Sequence, residues 1–312
     1  MKEGFFDFKL VRRRFKRPFL TGNGLIDVID RILLRTQSDQ GTGYGEIAPW
    51  PGFPTESLPE VLEILRAAQG NLSHLLHTVE AMRGLPCLRA ALSSCRHWDA
   101  INQLPVTLLC AGLCDATATN LDAKIFAGYK TIKLKIRPET TFAEIDALLY
   151  RFRGQLRLDA NGSLDLTAAR AWAEFVRQQP RIDYLEQPLP VGHAGYASLG
   201  PDKIAIDESF LTPGGVTWAG PIVVKPALVG DWDEFITWRQ ARQGPLIYSS
   251  TFETAIGRQG ALWLANHDSS NLPVGFDTLD LFENDARDRH TPGPVAENLA
   301  NFDWEKFWLD LT

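Results

Sequence analysis

Residues 131–136 read T-I-K-L-K-I, two lysines one residue apart inside an apolar run. As a strand, the run turns Ile132, Leu134 and Ile136 to one face and Lys133 and Lys135 to the other. Its neighbours in sequence repeat one unit: a short apolar run, a turn, then a helical pattern. The runs are 104–111, 131–136, 156–161 (L-R-L-D-A-N), 182–188 (I-D-Y-L-E-Q-P), 204–209 (I-A-I-D-E-S), 221–226 (P-I-V-V-K-P), 245–250 (P-L-I-Y-S-S) and 272–278 (L-P-V-G-F-D-T). Alternating strand and helix implies parallel strands joined by right-handed crossovers.

Eight such strands fit a closed barrel better than an open doubly wound sheet, and no G-x-G-x-x-G follows the first of them. The expected fold class is α/β, a (β/α)7β TIM-like barrel with an N-terminal α+β capping domain. Residues 1–100 supply that domain as an antiparallel meander followed by helices, and 101–285 the barrel. Residues 286–312, rich in Pro, Asn and Trp, are expected to pack back on the cap. Connections after strands four and five are short enough for partial helices only. Helix starts are marked by Ser57 with Glu60, Thr141 with Glu144, and Asp231 with Glu234. The glycines of G-T-G-Y-G-E (41–46) read as hairpin and turn residues.

Hydrophobic content of 45% and charged content of 22% over 312 residues are those of a globular protein. A net charge of −6 argues against a nucleic-acid or anionic-membrane partner. No apolar run approaches the roughly 18 residues that span a bilayer. R-R-R-F-K-R (12–17) lacks the apolar segment that follows a twin-arginine signal and reads as the solvated end of a strand, so the expected location is cytoplasmic. Cys87, Cys95, Cys110 and Cys114 contain no C-x-x-C pair and read as buried thiols. His74 and His77 have no further ligand beside them.

The barrel reading puts polar side chains at the C-terminal ends of successive strands, the end where barrel active sites assemble. They are Lys133 and Lys135, Asp159 and Asn161, Glu186, Asp207 and Glu208, Lys225, and Ser249 and Ser250. Any one of the Asp, Asn or Ser residues also suits a helix cap. The whole set is costly to bury unless its charges meet partners. Asp159, Glu186 and Asp207 stand on three successive strands and can converge on a hard cation, Mg²⁺ first and Mn²⁺ second, with Glu208 behind them. Lys225 lies four strands from the lysine pair, across the mouth. A cation between opposed ammonium groups suits removal of a proton beside a substrate carboxylate. A lysine so placed has its charged form disfavoured, and its pKa is expected to fall.

K-L-K (133–135), L-D-A-N (158–161), L-E-Q-P (185–188), D-E-S (207–209) and V-K-P (224–226) resemble, in order, the enolase superfamily and its muconate-lactonising branch. G-Y-G-E-I-A-P-W-P-G-F (43–53) resembles that branch's capping domain. Arg157, S-S-T-F-E-T-A-I-G (249–257) and G-F-D-T (275–278) are most similar to the o-succinylbenzoate synthase family within it. The resemblance implies syn-dehydration of 2-succinyl-6-hydroxy-2,4-cyclohexadiene-1-carboxylate, a step towards menaquinone or phylloquinone. It implies Lys135 as the base, Lys225 against the opposite face of the ring, and Lys133 supporting both Lys135 and the carboxylate. Substrate contacts are expected from Arg157, Asn161 and a lid at T-G-N-G (Gly22, Asn23, Gly24). Ser249 and Ser250 either meet the succinyl carboxylate or cap the next helix.

Dipeptide epimerases and N-succinylamino acid racemases of the same superfamily share the metal set and lysine pair. Epimerases usually carry D-x-D after strand eight, where this chain has D-T-L-D (277–280). A metal-free Schiff-base aldolase leaves the three carboxylates without a purpose. The expected partner is a small carboxylate substrate, and the chain is read as a monomer or homo-oligomer.

Overall fold

The computed structural model describes residues 4–21, 24–82, 84–115, 119–268 and 270–311. Thr131–Lys135 is the second of five parallel strands, ordered Gly112–Cys114, Thr131–Lys135, Gln155–Asp159, Ile182–Glu186 and Ile204–Ala205. Ile132, Leu134 and Ile136 are buried in the apolar layer outside the strands, with the helix residues Ile145, Leu149, Trp172 and Val176. The alternation therefore sends Lys133 and Lys135 into the barrel.

Two further strands, Ile222–Val224 and Leu246–Tyr248, pair in parallel. A bridge between Ile206 and Ile222 joins them to the five. Gly275 bridges Ser249 and Val274 bridges Cys110, so the stretch around 274–275 takes the eighth place. Its bonds run both ways: Val274 N–H to Leu109 O (2.7 Å) on one side, and Gly275 N–H to Tyr248 O (2.7 Å) on the other. The barrel closes there through single bridges.

One strand is displaced from its expected place. Of the run 104–111, Thr107–Leu109 leaves the barrel and pairs antiparallel with Val295–Glu297. The first barrel strand begins at Cys110 and continues through Gly112–Cys114. A run that is apolar on both sides of a single Thr107 gives no sign of where one sheet hands over to another.

Helices Leu121–Phe126, Phe142–Arg151, Leu166–Gln178, Trp232–Ala241 and Ala255–Asn266 surround the strands. After strand four the crossover holds only the four-residue helix Tyr196–Leu199. The boxes at Ser57–Glu60 and Thr141–Glu144 form with both reciprocal bonds, and Asp231 accepts from the N–H groups of Asp233 and Glu234.

The N-terminal region is the antiparallel sheet Phe5–Thr21, Gly24–Ser38 and Gly41–Ile47. Helices Leu58–Ala67, Leu72–Ala81 and Pro86–Arg96 follow it. Only Gly41 of its glycine cluster serves the turn, at φ 114°. Gly43 and Gly45 lie within the third strand, where helix Pro86–Arg96 crosses. A Cβ at Gly43 would sit 2.1 Å from the Cys95 carbonyl oxygen, and one at Gly45 2.2 Å from that of Ala91. The turn reading holds for the first glycine, whereas the next two permit close approach of strand and helix.

The basic run 12–17 also differs from its reading as a solvated strand end. Strand alternation buries Arg13 and Phe15 while Arg12 and Arg14 stay exposed. Arg13 pairs with Asp285 (2.9 Å) and Asp288. From helix Trp304–Asp310, Glu305 accepts from Arg35 (2.5 Å) and Tyr44 (2.6 Å) on the meander. All four cysteines are buried and unpaired by disulfides. No helix among the described residues is long and apolar enough to cross a membrane.

His290, in the segment after the barrel, is buried with neither ring nitrogen bonded, and Arg258 lies near it. Burial, then the Arg258 charge, pushes the imidazole from 6.5 down to about 3. The unfolded chain thus binds the extra proton between those two values, so stability falls as pH drops through that window. The slope from this one site reaches about 1.4 kcal/mol per pH unit, and urea unfolding from pH 7 to 4 should show it flattened in His290→Gln. Gly45→Ala should cost about 1–3 kcal/mol in the same measurement, since neither backbone segment can yield easily.

Candidate active site

Strand register stacks the interior charges in layers. Lys133 lies beside Arg157, and one layer higher Lys135 lies beside Asp159, which lies beside Glu186. Tyr184, Ala205, Val223 and Ile247 fill the space below as a separate apolar cluster. The upper layer opens to a cavity beneath the capping sheet, with about 80 Å³ available to the centres of water-sized molecules. Lys133, Lys135, Asp159, Asn161, Asp207, Glu208, Lys225, Ser249 and Ser250 all line it. The cap contributes Phe19, Thr21, Trp50 and Phe53. A wider groove runs outward from Lys135 and Asn161 between the first hairpin and the barrel rim.

Lys133 donates to Glu186 (2.6 Å) and lies 2.9 Å from Asp159. Lys225 pairs with Asp207, and Lys135 donates to the Asn161 side-chain oxygen. Asn161 also reaches Glu208 (3.4 Å). Burial works to discharge Lys133, but Asp159, Glu186 and Asp207 outweigh it and hold its pKa well above the usual lysine value. Carboxylate oxygens at 2.6 and 2.9 Å favour the ammonium form of Lys133. Asp159 is lowered, burial being overcome by Lys133 and Lys135. Glu186 is raised to about 8, first by burial and then by the Asp159 charge. Burial and Asp207 raise Glu208 to about 7.

Asp159 and Asp207 line the cavity, and Glu186 stands beside Asp159 on the next strand. No group of three His, Cys, Asp or Glu side chains among the described residues is gathered tightly enough to hold a metal ion as placed. Lys133 binds one oxygen each of Asp159 and Glu186, and Lys225 one oxygen of Asp207. The donor set nevertheless suits a hard cation. It is all oxygen, the Glu186 Oε2 atom is buried without a partner, and Glu186 feels the charges of both Asp159 and Asp207.

Other expected contacts fall elsewhere. Arg157 does not line the cavity; it donates to Asp183 (3.0 Å) and the Pro273 carbonyl (2.6 Å). Its expected substrate contact is replaced by these two bonds, whereas Lys133 at the same level of the next strand does line the cavity. Ser250 is bound to Glu253 and to Thr278 (3.1 Å), while Ser249 makes a 3.4 Å bond to the Gly275 carbonyl. Gly22 and Asn23 lie outside the described residues, and Gly24 is exposed with φ 111°.

Gln187 and Asp277 lie within the strand-end stretches L-E-Q-P and G-F-D-T, but strand alternation assigns neither a partner. Gln187, at φ 40°, accepts from the N–H groups of Asp207 (3.0 Å) and Ser209 (3.2 Å) and so fixes the next strand end. Its position between Glu186 and Pro188 was the available signal. Asp277 is fully engaged, accepting from Tyr129 (2.7 Å) and Leu113 N–H (2.8 Å) and pairing with Lys124. Lys225 lies 4.5 Å from the centre of the Phe53 ring, and Lys135 5.6 Å from that of Phe19.

The fold and this ring of charges define a capped-barrel enzyme of the enolase type. The family model described as enolase C-terminal domain-like matches residues 116–219. An o-succinylbenzoate synthase of Thermosynechococcus vestitus is 28% identical, covering 96% of this chain and 98% of the relative. One of Pasteurella multocida is 30% identical over 81% of this chain and 82% of its own. The crystal structure of o-succinylbenzoate synthase from Thermosynechococcus elongatus, complexed with Mg in the active site, aligns with TM-score 0.80 and 26% identity over 98% of this chain and all of that one. The L-Ala-D/L-Glu epimerase of Bacillus subtilis shares the fold, with TM-score 0.74 at 19% identity over 96% and 98% of the two chains. The chain belongs to the o-succinylbenzoate synthase family of the enolase superfamily.

Lys133→Met strands two buried carboxylates. With EDTA present, urea unfolding should show a loss of about 3–5 kcal/mol.

Proposed function

We propose that this chain is an o-succinylbenzoate synthase that dehydrates 2-succinyl-6-hydroxy-2,4-cyclohexadiene-1-carboxylate to o-succinylbenzoate in the cytoplasm, towards menaquinone or phylloquinone. The observation that carries the reading is that Lys135 and Lys225, from strands on opposite sides of the barrel, line one cavity. Family membership supports the same reaction, and the engaged Asp277 speaks against an epimerase, which needs a free carboxylate there for a peptide amine.

Lys135, as the amine, takes the proton from the ring carbon that bears the carboxylate. The electron pair left behind forms the new ring double bond as the C–O bond to the hydroxyl breaks. Lys135 returns its proton to the departing oxygen, and water leaves from the same face, as a syn elimination requires. Lys225 holds positive charge against the other face, in an aromatic wall that includes Phe53. Lys133 holds Asp159 and Glu186 in place through its contacts with both. Asp159, Glu186 and Asp207 would hold Mg²⁺, or Mn²⁺, whose charge stabilises the negative charge that develops on the substrate carboxylate. On this reading residues 1–100 cap the barrel of 101–285, and 286–312 return to the cap.

The test follows loss of the diene by ultraviolet absorbance, beside L-Ala-D/L-Glu and N-succinyl amino acids. Rapid loss of the diene with no epimerisation supports the synthase, and an inert diene with turnover of either rival substrate overturns it. Lys135→Ala should lower kcat by about 10²–10⁴-fold. EDTA should abolish turnover and added Mg²⁺ restore it.

A further inference from the structure

The loop after the seventh barrel strand, S-S-T-F-E-T (249–254), carries Ser250 and Phe252 into the cavity wall. Phe252 adopts φ 65°, a left-handed conformation costly for a residue with a Cβ, so surrounding structure must hold it there. Its ring stacks on Trp50 at 4.6 Å and meets Phe19 edge-on at 4.9 Å, joining the two cap aromatics that roof the cavity.

Three residues of the cap sheet grip the backbone on both sides of Phe252. Arg31 donates to the Thr251 carbonyl (2.6 Å) and Arg13 to that of Glu253 (2.7 Å). Glu46 is buried at the end of the third cap strand, and its Oε2 accepts three bonds from the barrel. They come from Thr254 N–H (2.9 Å), Thr254 Oγ1–H (2.6 Å) and Gly257 N–H (3.2 Å). Thr254 opens helix Ala255–Asn266, yet its own side chain makes no capping bond within the helix. The cap sheet supplies that bond instead. Glu253 closes the loop from within, accepting from Thr251 N–H (2.7 Å) and Oγ1–H (3.0 Å) and from Ser250. Gly257 makes the approach possible, since a Cβ there would lie 2.7 Å from Glu46 Oε2.

We propose that Glu46 is a positioning residue: from the capping sheet it latches the 251–257 turn, and thereby sets Phe252 and Ser250 at the wall of the substrate cavity. The effect on turnover rests on the reaction proposed above, while the latch itself can be read without substrate. Glu46 touches neither the cavity nor any of its charged residues, so its effect runs through the loop. Glu46→Gln keeps an oxygen able to accept the same three bonds, whereas Glu46→Ala leaves the donors unmet.

Amide hydrogen exchange on the whole chain tests the latch directly. In Glu46→Ala, exchange at Thr251, Thr254 and Gly257 should quicken about tenfold, as for a lost helix cap, while the barrel strands stay protected. The misplaced wall should lower kcat/KM about 10–100-fold, and Glu46→Gln should recover it to within about threefold. Phe252→Ala added to Glu46→Ala should cost no more than Phe252→Ala alone, since both act through one wall. Independent, additive losses, or unchanged exchange at the three amides, overturn the proposal. Should Glu46→Ala not fold, Gly257→Ala drives a methyl against the same carboxylate and must reproduce the pattern. A wild-type protein inert towards the diene defeats the reaction and leaves the exchange result to judge the latch.

Discussion

Lys133 between Asp159 and Glu186 is the contact on which the rest of the barrel interior depends. Two carboxylates on neighbouring parallel strands, both buried, repel one another and each lose hydration. An ammonium group one layer down offsets both costs at once. The arrangement explains why the second strand is apolar on one face and cationic on the other. The outer face is bound into the helical layer, and the inner face neutralises what the next two strands bring. Lys225 against Asp207 repeats the device across the barrel. Charge balance, more than apolar packing, thus organises the upper half of the interior, while Tyr184, Ala205, Val223 and Ile247 pack the lower half.

The same balance explains why acidic groups with unmet oxygens can be kept inside a folded protein. Glu186 retains one oxygen without a bond, and Glu208 retains another, both in positions where burial resists negative charge. Such groups gain from any added cation. The upper interior draws its stability from this one set of side chains, which is why substitution at Lys133 is expected to disturb it.

What was legible in the sequence was whatever a strict period or a local cap specifies. The period-two pattern of 131–136 located the inner and outer faces of its strand, and the boxes at Ser57 and Thr141 located helix starts. What was illegible depended on depth or on contacts distant in sequence. Arg157 shares a face with Asp159 but not its height in the barrel, and a face is all that alternation reports. Gly43 and Gly45 resembled turn glycines because only the crossing helix reveals the contact they allow. Leu104–Ala111 is apolar but for Thr107, so its division between two sheets left no trace. Phe252 gave no sign of a left-handed backbone, because the forces that impose it come from Arg13, Arg31 and Glu46, more than two hundred positions away.

The eighth barrel place around Val274 and the terminal helix Trp304–Asp310 have a consequence for how the chain matures on the ribosome. The meander emerges first, yet Arg35 and Tyr44 wait for Glu305, and Arg13 waits for Asp285 and Asp288. Sealing the ring likewise waits for Val274 and Gly275. Contacts of such long sequence separation form slowly. The nascent polypeptide therefore carries an unsealed ring and an uncovered N-terminal sheet until residues 274–305 have been made.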